Sequence, residues 1–228
     1  MTIQAVVFDF DGVLADSEPL HLRVYQELFA ESGIRLTPEV YGQRYLGLDD
    51  EGVFSRVAMD FGLMLGDEEI ELLIKEKARR FERLATDANV VYPSTVPCVR
   101  RLERVFPLAI ASGALRQDVE LILRGARVLE SFRFIVAAGD TERSKPFPDP
   151  YLRAAELHGL PPEACAAIED SRWGLRSAAA AGLRTIGVAT TYRREELQEA
   201  DVVVGSLDEV TADLVRGLTR DPEAGDRG

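Results

Sequence analysis

Short apolar runs recur along the chain and predict a parallel β-sheet. The first run, residues 5–8, is β-branched and uninterrupted, which is typical of a strand buried on both faces. After residue 90, further runs alternate with helical patterns; they are residues 108–111, 134–137, 166–168, 185–188 and 202–204. Strands separated by helices need right-handed crossovers, so the pattern predicts an α/β fold with a doubly wound parallel sheet and helices on both faces.

The segment between the first and second strands has a different pattern. Leu22, Tyr25 and Leu28 recur at helical spacing, and residues 67–85 form a long, charged stretch with one apolar stripe. No alternation typical of strands interrupts this segment. It is therefore interpreted as a small all-helical domain inserted into the α/β domain.

These patterns define the expected domain boundaries. Residues 1–16 and 89–220 form the α/β core, and residues 17–88 form the helical insertion. The final residues, 221–228, contain no apolar residue except Ala224 and are expected to be a disordered tail. Ser206, followed by Glu209, forms a capping-box pattern that predicts the start of the terminal helix.

Composition narrows the classes of function. The 228 residues contain 27 Lys and Arg against 39 Asp and Glu, a net charge of −12, which argues against binding to nucleic acid or to an anionic membrane surface. No apolar run approaches the roughly 20 residues of a membrane span. Two isolated cysteines, Cys98 and Cys165, provide neither a disulfide framework nor a zinc site and are interpreted as small core residues. We expect a cytoplasmic protein, and a monomer because no exposed heptad pattern is present.

Polar side chains follow three of the predicted strands directly. Ligands in such sheets bind outside the carboxyl ends of the strands, so these residues are expected to converge; they are Asp9 and Asp11, Ser112 and Gly113, and Glu169 and Asp170. Lys145 lies in a proline-rich loop between a strand and a helix. It is one of only three lysines, against 24 arginines, so its retention favours a role that needs a compact ammonium group.

This set of residue types indicates phosphoryl transfer. Several carboxylates with no His or Cys nearby are the hard oxygen ligands that favour Mg²⁺. A carboxylate can also attack phosphorus and form an acyl phosphate, and an ammonium group offsets the repulsion between the two anions. Ser112 and Gly113 offer a hydroxyl and backbone N–H groups to phosphate oxygens. Asp11, two residues after Asp9, can protonate the leaving group and later activate water.

Residues 9–18, Asp-Phe-Asp-Gly-Val-Leu-Ala-Asp-Ser-Glu, resemble the first motif of the haloacid dehalogenase-like hydrolases. Ser112, Lys145 and the run Ile168-Glu169-Asp170-Ser171 match the other three motifs in order. The resemblance extends to about residue 205 and implies a Rossmann-like core. A helical insertion at this place resembles the cap domain of the subgroup that contains β-phosphoglucomutases and phosphoglycolate or sugar-phosphate phosphatases.

The resemblance implies a role for each matched residue. Asp9 is the nucleophile, Asp11 is the general acid and base, and Ser112 and Lys145 hold the transferring phosphoryl group. The implied Mg²⁺ ligands are Asp9, the backbone carbonyl of Asp11, Asp170, and Glu169 either directly or through water. The expected substrate is a small phosphorylated metabolite, such as a sugar phosphate or phosphoglycolate.

Other chemistries of the family fit less well. Dehalogenases lack the second acidic residue of the first motif, which is present here as Asp11. Phosphonatases need a lysine at the entry of the cap, and Lys75 and Lys77 lie far from it in sequence. A β-phosphoglucomutase is the second hypothesis. It ranks below the phosphatase because the loop at residues 46–51 is acidic and would repel the bisphosphate intermediate of a mutase. A non-catalytic binding protein on the same scaffold is the third hypothesis. It ranks last because such a protein would be expected to lose the nucleophile or the metal ligands, and every motif residue is retained here.

Three further residues are weaker candidates for substrate contact. His21 lies at the start of the helical insertion, and Arg116 opens the helix after Ser112. Asp50 belongs to the acidic loop, together with Gly47 and Asp49, and is expected to face the leaving group. For His21 and Arg116, an ordinary position on a helix surface is the competing interpretation.

Overall fold

The computed structural model describes residues 2–46, 48, 50–87 and 90–218, and the chain divides into two compact units. We call Met1–Asp16 with Val90–Gly228 the sheet unit, and Ser17–Asn89 the helical unit. Gly47, Asp49 and the tail at residues 221–228 lie outside the described residues.

The described residues of the sheet unit include six parallel strands that form one sheet. They are β1 (Ala5–Phe8), β2 (Leu108–Ala111), β3 (Phe132–Val136), β4 (Cys165–Glu169), β5 (Arg184–Val188) and β6 (Val202–Val204). Their order in the sheet is β3-β2-β1-β4-β5-β6, and every neighbouring pair is parallel. The predicted α/β class with a doubly wound parallel sheet is therefore confirmed. The strand order reverses between β1 and β4, and ligands of such sheets bind at this point.

The described residues of the helical unit form four helices. They are α1 (Glu18–Glu31), α2 (Pro38–Arg44), α3 (Asp50–Phe61) and α4 (Asp67–Asp87). Helix α2 begins after Thr37, whose hydroxyl accepts a hydrogen bond from the backbone N–H of Val40. Helix α4 packs against α1 and α3. The aromatic rings of Tyr25, Phe29 and Phe54 meet in the core of this unit, with centroids 5.5–6.3 Å apart.

In the part of the sheet unit that the structure describes, five helices connect and cover the sheet. They are α5 (Thr95–Leu102), α6 (Arg116–Gly125), α7 (Asp149–His158), α8 (Arg172–Ala181) and α9 (Ala212–Arg216). Gly159 and Gly182 end α7 and α8 in the left-handed conformation, which a glycine adopts without steric cost. Strands β1, β2 and β4 are completely buried, as their continuous apolar runs predict. Both cysteines are buried and free. Within the described residues, no helix combines the length and the apolar character needed to cross a membrane.

One helix boundary differs from the prediction. The terminal helix α9 begins at Ala212 and is capped by Thr211, whose hydroxyl accepts from the N–H of Leu214. Ser206 instead caps a short 3₁₀ turn, Leu207–Glu209. The pattern at Ser206 and Glu209 therefore belongs to a 3₁₀ turn and not to the terminal helix. Such a turn leaves the same backbone N–H groups available to a capping side chain as the first turn of a helix does.

Candidate active site

Asp9 is the first residue after β1, and the sheet places it beside β4. Its backbone N–H donates to the carbonyl of Ile168 at 2.9 Å, which continues the pairing of the two strands. The chain then turns sharply at Gly12, where φ is +78°. A Cβ atom at Gly12 would lie 1.9 Å from Oδ2 of Asp170, so both the backbone conformation and the close approach require glycine. Asp11 lies on this turn and is half-buried.

Glu169 ends β4 and is completely buried. Its Oε1 atom accepts hydrogen bonds from Nζ of Lys145 at 2.6 Å and from the hydroxyl of Tyr151 at 2.7 Å. Its Oε2 atom accepts from the hydroxyl of Ser171 at 3.1 Å. The space for this carboxylate exists because α8 carries Gly174 in its first turn, where a Cβ atom would lie 1.8–2.1 Å from the Glu169 carboxyl group.

Lys145 reaches the same point from the loop before α7. Nζ of Lys145 donates to Oδ1 of Asp9 at 2.8 Å as well as to Glu169, and the side chain is largely buried. The loop is anchored at Phe147, whose carbonyl accepts from the hydroxyl of Ser177 on α8. The structure therefore brings Asp9, Lys145 and Glu169, which are far apart in sequence, into one hydrogen-bonded group.

Ser112 and Gly113 follow β2, which is the strand on the other side of β1. The N–H of Ser112 donates to the carbonyl of Val136, and its hydroxyl accepts from the N–H of Ala114 at 3.0 Å. Ser112 is buried, whereas Gly113 is exposed. Because β1 and β2 are parallel, Ser112 and Asp9 lie at the same edge of the sheet.

Asp170 completes the carboxylate group at the end of β4. It is buried and accepts a hydrogen bond from the side chain of Thr191, in the loop after β5. Carboxylate oxygens of Asp9, Glu169 and Asp170 lie within 4.8 Å of one another. Three buried carboxylates with hard oxygen atoms fit a divalent cation of the Mg²⁺ type, because one ammonium group leaves an excess of negative charge. The side chain of Asp11 is not part of this cluster of three carboxylates.

The charges in this cluster shift one another's pKa values. Burial, and then the neighbouring Glu169 carboxylate, hold the pKa of Asp9 well above its ordinary value. Burial raises the pKa of Asp170 to about 7, although the hydrogen bond from Thr191 acts in the opposite direction. Burial alone lowers the pKa of Lys145, but the carboxylates of Asp9 and Glu169 outweigh it and raise that pKa above its ordinary value. The ammonium is thus held charged between carboxylates that repel one another.

Three residues of this site were not predicted from the sequence. Tyr151 is in the apolar stripe of α7 and resembles an ordinary core residue, and Thr191 is in a loop with no motif. Gly174 gave the one available signal, since a glycine in the first turn of a helix weakens that helix and therefore indicates a close contact.

The three weaker candidates all have partners inside their own units. Arg116 donates to Oδ2 of Asp140 at 2.6 Å and to the carbonyl of Ile135 at 2.8 Å, which favours a structural role in the loop after β3. The ring of His21 stacks on Phe81 with centroids 4.4 Å apart. Burial lowers the pKa of His21 to about 3.

Asp50 begins α3, and its carboxylate is engaged by the helical unit itself. It lies 3.0 Å from Nζ of Lys77 and accepts from the hydroxyl of Tyr25 at 2.6 Å. The ammonium of Lys77 is buried in this pair, so Lys77 is not a free lysine of the kind that a phosphonatase uses. A contact of Asp50 with substrate stays a prediction.

Comparison with known proteins agrees with this geometry. A family model described as haloacid dehalogenase-like hydrolase matches residues 3–182. Protein CbbY of Rhodobacter capsulatus is 34% identical over 210 residues, 88% of this chain and 92% of that protein. Fructose-1-phosphate phosphatase YqaB of Escherichia coli is 26% identical over 80% of this chain and 95% of its own length.

Solved structures give the same result. The crystal structure of a mutant of CbbY from Rhodobacter sphaeroides, in complex with xylulose-(1,5)bisphosphate, is similar to this chain with a TM-score of 0.78. The two share 30% sequence identity, and the match covers 91% of this chain and 96% of the other. The motifs, the sheet order and these matches agree, and the chain belongs to the haloacid dehalogenase-like hydrolase family.

Proposed function

We propose that the protein is a Mg²⁺-dependent phosphatase that hydrolyses a small phosphorylated sugar through a phosphoenzyme on Asp9. The observation that carries this proposal is the hydrogen bond of 2.8 Å between the Asp9 carboxylate and the Lys145 ammonium, inside a buried cluster of three carboxylates. An attacking carboxylate and a phosphate repel each other, and such a site is equipped to offset that repulsion.

In the first half of the reaction, a carboxylate oxygen of Asp9 attacks phosphorus, and the bond between phosphorus and the leaving oxygen breaks. Asp11 donates a proton to that oxygen, which leaves as the sugar hydroxyl. Lys145 keeps Asp9 in place and attracts the phosphoryl oxygens, while Ser112 and the backbone N–H of Gly113 bind them. Asp9, the backbone carbonyl of Asp11, and Asp170 would hold Mg²⁺, which would supply positive charge against the repulsion between the anions.

In the second half, Asp11 accepts a proton from a water molecule that attacks phosphorus. The acyl phosphate bond breaks, inorganic phosphate leaves, and the Asp9 carboxylate is restored. Asp11 therefore acts first as an acid and then as a base. The presence of this residue favours phosphoryl transfer over dehalogenation.

We further propose that the helical unit is a cap that opens and closes over this site. The two connections to it leave the sheet unit side by side, because the N–H of Asp16 donates to the carbonyl of Val90 at 2.8 Å and Ala15 pairs with Val91. Two adjacent connections make a simple hinge. Closure excludes bulk water during the attack by Asp9, and opening admits substrate and releases product.

The similar proteins support a phosphorylated sugar as the substrate class. One is named a fructose-1-phosphate phosphatase, and another was crystallised with a phosphorylated pentulose. A mutase that moves the phosphoryl group within a sugar is the competing function, and it predicts an isomer rather than inorganic phosphate as product.

The test is a screen of sugar monophosphates and bisphosphates, together with phosphoglycolate, in which released phosphate is measured with Mg²⁺ present. We expect phosphate release that EDTA abolishes and added Mg²⁺ restores. The Asp9→Asn variant is the control, and mass spectrometry of the acid-quenched wild-type enzyme should find the phosphoryl group on Asp9. Full turnover without metal, a phosphoryl group on another residue, or conversion between sugar phosphate isomers without phosphate release would each contradict the proposal.

A further inference from the structure

The Glu169 carboxylate is held by donors of the chain on both of its oxygen atoms. Lys145 and Tyr151 donate to Oε1 at 2.6 and 2.7 Å, and the hydroxyl and N–H of Ser171 donate to Oε2 at 3.1 and 3.4 Å. Three of these hydrogen bonds are 2.6–3.1 Å long, and together they set the orientation of the Glu169 carboxylate.

Tyr151 is a neutral side chain that shares an acceptor oxygen atom with Lys145. It is completely buried in α7, which leaves its hydroxyl no access to bulk water. Nζ of Lys145 also lies over the Tyr151 ring, 5.1 Å from its centroid. The tyrosine thus touches the same ammonium through its ring and controls one of that ammonium's two carboxylate partners through its hydroxyl.

The hydroxyl changes how Lys145 divides its charge between Asp9 and Glu169. A carboxylate oxygen that accepts a second hydrogen bond carries less negative potential toward the first donor. The Tyr151 hydroxyl therefore weakens the attraction of Glu169 for the ammonium, which leaves Lys145 available to Asp9 and to the phosphoryl group. Without the hydroxyl, Glu169 attracts the ammonium more strongly and competes with Asp9.

We propose that Tyr151 is a positioning residue, whose hydroxyl sets the location of the Lys145 ammonium beside Asp9 by acting through Glu169. The proposal rests on the proposed phosphatase function, in which Lys145 neutralises charge during the attack by Asp9. Tyr151 itself touches neither Asp9 nor the phosphoryl group in this mechanism, and its effect is transmitted by Glu169.

The first test is the Tyr151→Phe variant, which removes the hydroxyl and keeps the buried ring. We expect the rate of phosphoenzyme formation and kcat to fall about 10- to 100-fold, with KM changed less than about twofold, because substrate binding does not use this hydroxyl. The matched control is Tyr45→Phe. Tyr45 is also buried and donates to a carboxylate, that of Asp60 at 2.9 Å, but it lies in the helical unit outside the catalytic group.

A double-mutant cycle distinguishes positioning from a general loss of packing. If Tyr151 acts through Glu169, the double variant Tyr151→Phe, Glu169→Gln forms phosphoenzyme as fast as Glu169→Gln alone. Independent multiplication of the two effects would overturn the proposal, as would a wild-type rate in Tyr151→Phe.

A spectroscopic measurement tests the same idea without turnover. The chain has only three lysines, so protein labelled with ¹⁵N-lysine gives a side-chain spectrum that can be assigned completely. We expect Tyr151→Phe to shift the Nζ signal of Lys145 and to leave Lys75 and Lys77 unchanged, whereas Tyr45→Phe leaves Lys145 unchanged. An unmoved Lys145 signal refutes the positioning role whatever reaction the enzyme catalyses. An inactive wild-type protein whose Lys145 signal still moves refutes only the phosphatase function.

Discussion

Each of the two units buries a lysine against carboxylates, and the two arrangements differ in charge balance. In the helical unit, Lys77 pairs with Asp50 at 3.0 Å, and Lys77 is almost completely buried. In the sheet unit, Lys145 contacts Asp9 and Glu169 at 2.8 and 2.6 Å. Both ammonium groups also lie 5–6 Å above aromatic rings. Local packing is therefore similar at the two sites.

The balance of charge separates a structural pair from a functional one. Lys77 and Asp50 cancel, so their arrangement is complete without any ligand. Around Lys145, the third carboxylate, Asp170, leaves an excess of negative charge that the described residues do not neutralise. Burying uncompensated charge opposes folding, and such an arrangement is retained where a ligand or a reaction needs it. The excess, rather than burial itself, marks the catalytic site.

The same substitution, aspartate to asparagine, made once in each unit tests this difference most strongly. Asp9→Asn removes the nucleophile and one of the repelling charges, because an amide does not attack phosphorus. We expect activity to fall by about 10⁴-fold or more, and the metal-free protein to be as stable as the wild type or more stable. Enzyme assay and urea unfolding with EDTA present measure the two effects. A clear loss of stability would mean that the carboxylates of the sheet unit are needed for folding, and the comparison would fail.

Asp50→Asn is the matched substitution in the helical unit, and the opposite result is expected. It leaves the Lys77 ammonium buried without a charged partner. Removing one member of a buried pair costs about 3 kcal/mol or more, so the free energy of unfolding should decrease by that order. Urea unfolding followed by circular dichroism measures it. The double variant Asp50→Asn, Lys77→Met should recover much of the loss, since no unpaired charge remains. Equal stability of Asp50→Asn and wild type would show that this pair is not structural.

The sequence predicted the sheet unit well because its signals are local. Continuous apolar runs identified the buried strands, and polar residues directly after three of them identified Asp9, Ser112 and Glu169. Parallel strands place such residues at one edge without any knowledge of the contacts between distant segments. Lys145 was identified by the rarity of lysine in this chain, by its place in a loop between a strand and a helix, and by its match to a family motif.

Residues that act through tertiary contacts were not predictable in this way. The partnership between Tyr151 and Glu169 joins two elements whose side chains show no shared periodicity. The pair of Lys77 and Asp50 joins α4 to α3, and the sequence showed only a charged helix and an acidic loop. Charges on a helix are usually exposed, so the burial of Lys77 depends on how the helices pack, which periodicity does not specify.

Glycine substitutions compare the two units at the level of single methyl groups. Gly174→Ala places a Cβ atom within 2.1 Å of the Glu169 carboxyl group, so that carboxylate has to move away from Lys145. We expect kcat to fall about 10- to 100-fold, measured on the best substrate of the screen. Gly42→Ala is the control, because Gly42 lies inside α2, where no atom of the described residues comes within 4 Å of a new Cβ atom. It should stabilise the protein by about 0.5–1 kcal/mol, and similar effects of both variants on kcat would contradict the assigned role of Gly174.

The chain has two histidines, and one lies in each unit. His21, in the helical unit, stacks on Phe81, and burial followed by the charge of Lys77 lowers its pKa to about 3. His158, in the sheet unit, packs on Phe134, and among the described residues its two ring nitrogens have no hydrogen-bond partner; burial lowers its pKa to about 4. In the unfolded chain both are expected to titrate near 6.5. Each unit therefore contains a neutral imidazole whose protonation the folded state resists.

The smallest expected effect is the dependence of stability on these two histidines at acid pH. The pKa values of both histidines are lower in the folded state, so the unfolded state takes up protons first as the pH falls. The free energy of unfolding is therefore unaffected by these histidines above about pH 6.5 and decreases as the pH falls toward 4. One proton changes the free energy of unfolding by at most about 1.4 kcal/mol per pH unit. Replacing either histidine by phenylalanine, His21→Phe or His158→Phe, should therefore reduce the slope of the free energy of unfolding against pH between pH 6.5 and 4. The slope above pH 7 should not change. NMR titration of the two imidazoles checks the assignment directly, since a midpoint near 6.5 for either ring would mean that its unit does not bury it.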